Sequence, residues 1–329
     1  MAQSSELEQK NQHYVPQFYL RNFSNTDNKK SVSAYELKSK KHIKFASIKT
    51  TASEEYYYGE DKIIENSFKE LEGIWANIIR DIIEKNKIPQ LPHNLNDYLY
   101  LLLFVALSDI RAFKIGNIIN KLKRGAYEHI KKFDNGMEEE NIDTNHHPNF
   151  FMLNSSIENF NVFLELTPLL ILNETMNDFL TSDNPCAKYN QFFVSEEFPY
   201  YGLRHGGIQI FIPLSSRICF CLYDENAYCV LNKNNEEVVT INNPMQINEL
   251  NKLFLRNADR MVYFKDKSHV QHIDEILIAH KYYQHNPFIN SDIPVFGVEM
   301  ESINDYFDLS FFKVRQSFKN IGKRTKQKE

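Results

Sequence analysis

The segment HYVPQFYLRNF, residues 13–23, sets an imidazole, an amide and a guanidinium at four-residue intervals: His13, Gln17 and Arg21. Pro16 suits the first turn of a helix and disfavours helical geometry at Val15, so a helix is predicted to begin at Pro16 with His13 just outside it. Gln17 and Arg21 then share one face. His13 stands near the positive end of that helix, where its neutral form is favoured and it is equipped to act as a general base or metal ligand. The architectural alternative is a histidine bonded to the helix start, with Gln17 and Arg21 satisfying backbone groups nearby.

Four further acidic or basic positions extend this set. Glu65 and Glu72 are seven residues apart, which at about 100° per residue puts them within roughly 20° of each other on a helix. Both fall at the edge of an apolar arc, so a cation or metal is needed to compensate them. Arg111 lies inside the apolar stripe of the next helical segment and requires an acidic partner: it is either a buried Arg–Glu tie between helices or a clamp for phosphate or carboxylate. In FLTSDNPC, residues 179–186, a short strand runs into a turn, and Asp183 is placed to bind a divalent metal or act as a base beside Ser182 and Asn184. The alternative there is an Asx turn ahead of Pro185.

The elements that must carry these residues follow from periodicity. Apolar residues from Ile63 to Ile83 recur at three- and four-residue intervals and predict a helix over 61–86. A second helix, apolar nearly all round at its centre, is expected from about Asn96 to Lys123. Val32–Leu37 and His42–Ile48 alternate as a small hairpin ahead of these helices. The polar run 134–149 reads as a linker, containing His146 and His147 as solvated residues. Beyond it lie a helix ending near Leu164 and strands at 169–173, 178–181, 207–214, 218–223, 227–231 and 237–241. A helix at 243–257, a strand at 261–265 and a helix near 274–283 complete the pattern. The connections are mostly too short for crossover helices. The fold class is therefore α+β: a helical half, about 13–133, with its hairpin, packed on a largely antiparallel strand-rich half, 150–318, as one integrated domain. Residues 319–329 form a basic tail expected to be disordered.

Composition limits the function classes. The 329 residues carry 38 Lys plus Arg against 43 Asp plus Glu, a net charge of −5, which excludes a grossly basic nucleic-acid coat. An apolar share of 42 % is enough for a real core. No apolar run reaches the roughly 20 residues of a membrane span, and the polar N-terminus is unlike a secretory signal, so a cytoplasmic protein without membrane contact is expected. Cys186, Cys219, Cys221 and Cys229 lack CxxC spacing and read as free thiols, mostly buried.

Taken together, HYVPQFYLRNF, the tyrosines 56–58, the Glu65 and Glu72 pair, LLLFVALSDIR ending at Arg111, FLTSDNP, IFIPLS at 211–216 and LNKLFLRNADRMVYF at 250–264 resemble the domain of unknown function family 4238. The pieces occur in that family's order over about 250 residues. The resemblance implies one recurrent unit spanning both halves and a microbial protein, with some relatives accessory to mobile elements or phage defence. It also draws the polar motif residues into one hypothesis: a metal-dependent phosphodiesterase, nuclease-like. Glu65, Asp183 and Glu72 would hold Mg²⁺ or Mn²⁺, with His13 activating water and Glu65 and Asp183 at the chemistry. Gln17, Arg21, Arg111 and Asn184 would bind substrate. The alternative is a non-catalytic module for recognising a protein or nucleic acid, its polar residues forming a buried network. The first requires carboxylates facing a groove with basic walls; the second requires Arg–carboxylate pairs satisfied internally.

Overall fold

Strand β1 (Asn11–His13) leads into helix α1 (Gln17–Leu20) and a 3₁₀ turn (Arg21–Phe23), followed by β2 (Ser31–Glu36), β3 (Lys41–Ser47) and β4 (Ser53–Glu55). Two long helices come next, α2 (Ile63–Lys85) and α3 (Leu95–Arg111), then the short α4 (Phe160–Leu164). The second half contributes β5 (Thr167–Asn173), β6 (Thr181–Ser182), β7 (Ala187–Tyr189), β8 (Gln209–Pro213), β9 (Ile218–Tyr223), β10 (Tyr228–Val230) and β11 (Val238–Ile241). Helix α5 (Pro244–Asn257), β12 (Met261–Phe264), α6 (His269–Ala279) and β13 (Phe312–Val314) complete the order. The structure is a computed structural model and describes residues 10–58, 63–111, 160–192, 203–235, 237–265, 269–279 and 306–318. The predicted linker, its two histidines, the last turns of the second predicted helix and the basic tail lie outside the described residues.

A five-stranded sheet of order β11-β5-β9-β8-β7 organises the interior, and the two-residue period of its strands sorts side chains to opposite faces. Leu170, Ile210, Ile212, Phe220 and Leu222 join the core beneath α2 and α3, where Trp75, Ile79, Leu102 and Phe104 are buried. Leu169, Ile171, Phe211, Cys219 and Cys221 point the other way, onto Leu250 and Phe254 of α5 and onto Phe307, Leu309 and Phe312. Every residue of β8 and β9 is buried, as expected of strands covered on both faces. The aromatic segment near the C-terminus thus docks on this chain's own core, and β13 pairs with β10.

A second sheet, order β3-β2-β12-β6, takes its first two strands from the N-terminal part and its last two from the C-terminal part. The predicted hairpin is therefore half of a larger sheet whose remaining strands arrive more than a hundred residues later. Its pairings are antiparallel, as are those of β1 with β4 and of most of the five-stranded sheet. One pairing departs from the expected pattern: β11 runs parallel to β5, which the long path through β6 to β10 between them permits. The fold class is α+β, as the patterning predicts. Helix α5 begins where its sequence says it should, with the Asn243 side chain accepting from the Met245 N–H at 3.0 Å and Pro244 in the first turn. No helix among the described residues is long and apolar enough to cross a membrane. Cys186, Cys219 and Cys221 are buried free thiols and Cys229 is half-buried.

Candidate functional site

A cleft of about 380 Å³ opens between α1 and α2, lined by His13, Gln17, Phe18, Arg21, Glu65, Lys69, Glu72, Gly73 and Ala76. Two short stretches of chain build all of it. His13 ends β1, which is fixed by pairing with β4, and the chain then turns at Pro16 so that Gln17, Phe18 and Arg21 follow within one turn of helix and its 3₁₀ extension. The helix begins one residue after the predicted start, with Pro16 extended at its cap. On the opposite wall, residues 65, 69, 72, 73 and 76 of α2 recur at the helical interval and form one stripe. Gly73 leaves open space where a side chain would begin, since an added Cβ there meets nothing within 4 Å.

Arg111 holds the two walls together from below. It is 3 % exposed, and its guanidinium donates to Glu72 Oε1 at 2.9 Å, to the His13 carbonyl at 2.8 Å and to the Tyr58 hydroxyl at 2.8 Å. The Phe68 ring lies 3.9 Å from its central carbon. The predicted Arg–Glu tie between helices is thus present, and its acidic partner is Glu72. Burial works against the charge of Arg111, yet Tyr58 and Glu72 keep its pKa above the ordinary arginine value, so the group stays ionised. Because the guanidinium holds both the backbone of His13 and the carboxylate of Glu72, it sets the spacing of the cleft.

Two groups in the cleft have perturbed proton affinities. Burial, together with the positive charges of Arg111 and Arg21 and against hydrogen bonds to backbone carbonyls, lowers the His13 pKa to about 4. Its Nε2 lies 3.3 Å from the Ile48 carbonyl. A carbonyl can only accept, so that bond puts the proton on Nε2 and leaves Nδ1 as the lone pair. Glu65 shifts upward because it is buried, with the Glu72 charge adding to the effect and Lys69 and Arg111 opposing it. Arg21 is exposed and donates to Gln17 Oε1 at 3.2 Å, which orients the guanidinium along the helix.

Asp183 and Asn184 do not belong to this cleft. The sequence reading set Asp183 beside Glu65 and Glu72 in a metal site; the fold gives it different surroundings. One carboxylate oxygen accepts from the Asp259 N–H at 2.9 Å, and the other from Arg260 and Met261 at 2.7 and 3.0 Å. The residue is fully buried and clamps the turn between α5 and β12. Burial raises its pKa to about 6 while the three N–H donors pull the other way. Nor is an Asx turn present in the form expected: the Ser182 hydroxyl accepts from the Asn184 N–H at 3.1 Å, and the Asn184 amide reaches the Asn257 carbonyl at 3.1 Å. Among the described residues, no group of three or more His, Cys, Asp or Glu side chains is arranged to hold a metal.

The model of a family described as "Protein of unknown function (DUF4238)" matches residues 11–268. The chain belongs to that family. The DUF4238 match takes in the whole cleft, Arg111, the Asp183 clamp and β12, and it stops short of the segment carrying β13. No curated protein and no solved structure matches the chain.

Sequence reasoning brought five of its candidates to one place: His13, Gln17, Arg21, Glu65 and Glu72, with Arg111 behind them. It missed Lys69, the second cation of the cleft. The signal was available, because Lys69 lies four residues after Glu65 and three before Glu72, on the same helical face.

Proposed function

We propose that the cleft between α1 and α2 hydrolyses a phosphate ester, with nucleic acid as the substrate class. The observation that carries this reading is the convergence of an imidazole, two carboxylates and two cations from separate stretches of chain on a single cleft. Arg21 and Lys69 supply the positive charge that a scissile phosphate needs. His13, neutral at pH 7, takes a proton from water at Nδ1 as the water oxygen attacks phosphorus. Glu65, whose protonated form is favoured by burial, gives its proton to the leaving oxygen as the P–O bond breaks. Glu72, neutralised by Arg111, keeps the cleft from repelling an anion.

The metal-assisted form of the same reading rests on Glu65 and Glu72 sharing one wall. Mg²⁺ or Mn²⁺ commonly binds through one or two carboxylates together with substrate phosphate oxygens. The ion would arrive with the phosphate and supply charge stabilisation.

The internal satisfaction of Arg111 by Glu72, Tyr58 and the His13 carbonyl favours a second reading, a non-catalytic module that recognises a phosphate-bearing nucleic acid or protein. Cleavage of fluorescent single-stranded RNA and DNA oligonucleotides, in EDTA and in Mg²⁺ or Mn²⁺, tests all three. Turnover in EDTA that is lost in His13→Ala and Glu65→Gln supports the acid–base form, and turnover only with the ion supports the metal form. Oligonucleotide binding without turnover, weakened by Arg21→Ala, supports recognition. The absence of both turnover and binding would overturn the proposal.

A further inference from the structure

Strand β3 forms one edge of the four-stranded sheet, and its surroundings are basic. Residues 29–49, which comprise the β2–β3 hairpin and the residues flanking it, hold seven lysines against one carboxylate, in a chain whose net charge is −5. All seven lysines are exposed. The lone carboxylate, Glu36, accepts from the Ser39 hydroxyl. The charge is spread along the strand rather than gathered at one point. Lys38 and Lys40 lie in the turn that enters β3, and Lys41 and Lys44 lie on it. Lys30 stands at its far end, where the Lys30 carbonyl accepts from the Ile48 N–H at 3.0 Å.

Between the charges lies an apolar face. Alternation puts Lys41, Ile43, Phe45 and Ser47 on one side of β3, and all four are exposed, Phe45 at 58 %. The Lys44 ammonium stands 5.0 Å from the centroid of the Phe45 ring. Lysines on an edge strand deter pairing with other chains, but that duty neither needs an exposed phenyl ring nor extends to the turns. A cation beside a solvent-facing ring offers a phosphate contact and a stacking platform together. The strand also has a direction. At about 3.3 Å per residue it runs roughly 20 Å. It ends at the His13 cleft, where the Ile48 carbonyl lies 3.3 Å from His13 Nε2 and the Lys49 carbonyl accepts from Asn11 at 3.2 Å.

We propose that β3 is a track for single-stranded nucleic acid, with Lys41 and Lys44 on its phosphates and Phe45 stacked on a base. Charge complementarity selects an anion, and the exposed ring selects an anion with π faces, which sets a nucleic acid above an acidic peptide. A base can lie on the ring only where its own faces are uncovered, which selects a single strand over a duplex. The proposal rests on the reading of the His13 cleft for its substrate class, and the test separates the two.

Fluorescence anisotropy of labelled oligo(U) and oligo(dT) dodecamers, titrated with the full chain at several salt concentrations, tests it. Phe45→Ala is expected to weaken binding at least about five-fold, and Phe45→Trp to retain it. Lys41→Gln combined with Lys44→Gln is expected to flatten the slope of log affinity against log salt by about 1.4, the loss of two phosphate contacts. Hydrolysis of bis(p-nitrophenyl) phosphate, too small to span the strand, reports on the cleft alone. Turnover of that ester by the wild type with no dodecamer binding would overturn the track and leave the cleft reading standing. Dodecamer binding that depends on Phe45, with no turnover of any substrate, would support the track and count against hydrolysis in the cleft. Equal affinity for polyglutamate, or dodecamer binding that Phe45→Ala leaves unchanged, would overturn the proposal in favour of a general surface for polyanions. Self-association of the lysine double variant with its dodecamer affinity intact would assign the lysines to guarding the edge and overturn it as well.

Discussion

Glu72 and Asp183 are both carboxylates held by nitrogen donors, but they are held to different ends. Glu72 gives one oxygen to Arg111 and remains on the wall of an open cleft, its side chain 25 % exposed. Asp183 gives both oxygens to three backbone N–H groups and is sealed from solvent. The residue type and the motif setting do not separate the two; the unused hydrogen-bonding capacity does. A carboxylate whose lone pairs are filled by its own backbone fixes a turn, whereas one with a free oxygen beside a cavity is available to a ligand. Under the proposed function, the motif residues therefore divide into a working set around His13 and an architectural set around Asp183.

That division is most strongly tested at Asp183. Asp183→Ala leaves three backbone donors without an acceptor and is expected to lower stability by about 3–5 kcal/mol in urea unfolding. Any folded fraction should keep its affinity for oligonucleotides. A loss of binding with stability intact would place Asp183 back among the working residues.

Arg111→Ala comes next, with an expected loss of about 3 kcal/mol because Glu72 is left buried in part without its partner. Here both readouts should fall together, since the guanidinium sets the spacing of the cleft walls. A double-mutant cycle with Glu72→Gln measures the coupling, and a coupling near zero would mean that Arg111 acts through Tyr58 and the His13 carbonyl alone.

Gly73→Ala sharpens the comparison in the opposite sense. Replacing a mid-helix glycine that has open space beside it should stabilise the protein by about 0.5–1 kcal/mol, while the added methyl group narrows the cleft and weakens ligand binding. Stabilisation without any effect on binding would show that ligands do not reach this part of α2.

A further effect is expected at His13 and depends on pH. Its folded pKa of about 4 lies below the ordinary value of 6.5, so the unfolded chain takes up the proton first as the solution is acidified. The contribution of His13 to stability is complete above pH 6.5 and is lost as the pH falls through about 4. The gap in stability between wild type and His13→Gln should shrink across that window, and the imidazole NMR resonances should titrate with a midpoint near 4. A midpoint near 6.5 would mean that the ring is solvated.

Much of this arrangement was legible in the sequence because it is local. The α2 periodicity placed Glu65 and Glu72 on one face, Pro16 set the start of α1, and an arginine within an apolar stripe demanded a carboxylate. The role of Asp183 was not legible, because its partners at 259–261 come together with it only through the pairing of β6 with β12. The same is true of the parallel pairing of β11 with β5, whose register depends on contacts distant in sequence. Local spacing names the groups; long-range pairing decides which of them remain free.

The mixed sheet β3-β2-β12-β6 has a consequence for synthesis. As the chain leaves the ribosome, β2 has only β3 and a single bridge from Ser24 to Val32 beside it until residue 264 has emerged, so the edge at residues 33–36 stays open while the two long helices are already made. An unpaired edge of that kind is a template for pairing with other chains. Fragments that end before Met261 should therefore associate through β2, and the folding of the N-terminal half is timed by the arrival of a strand from the far end of the family's span.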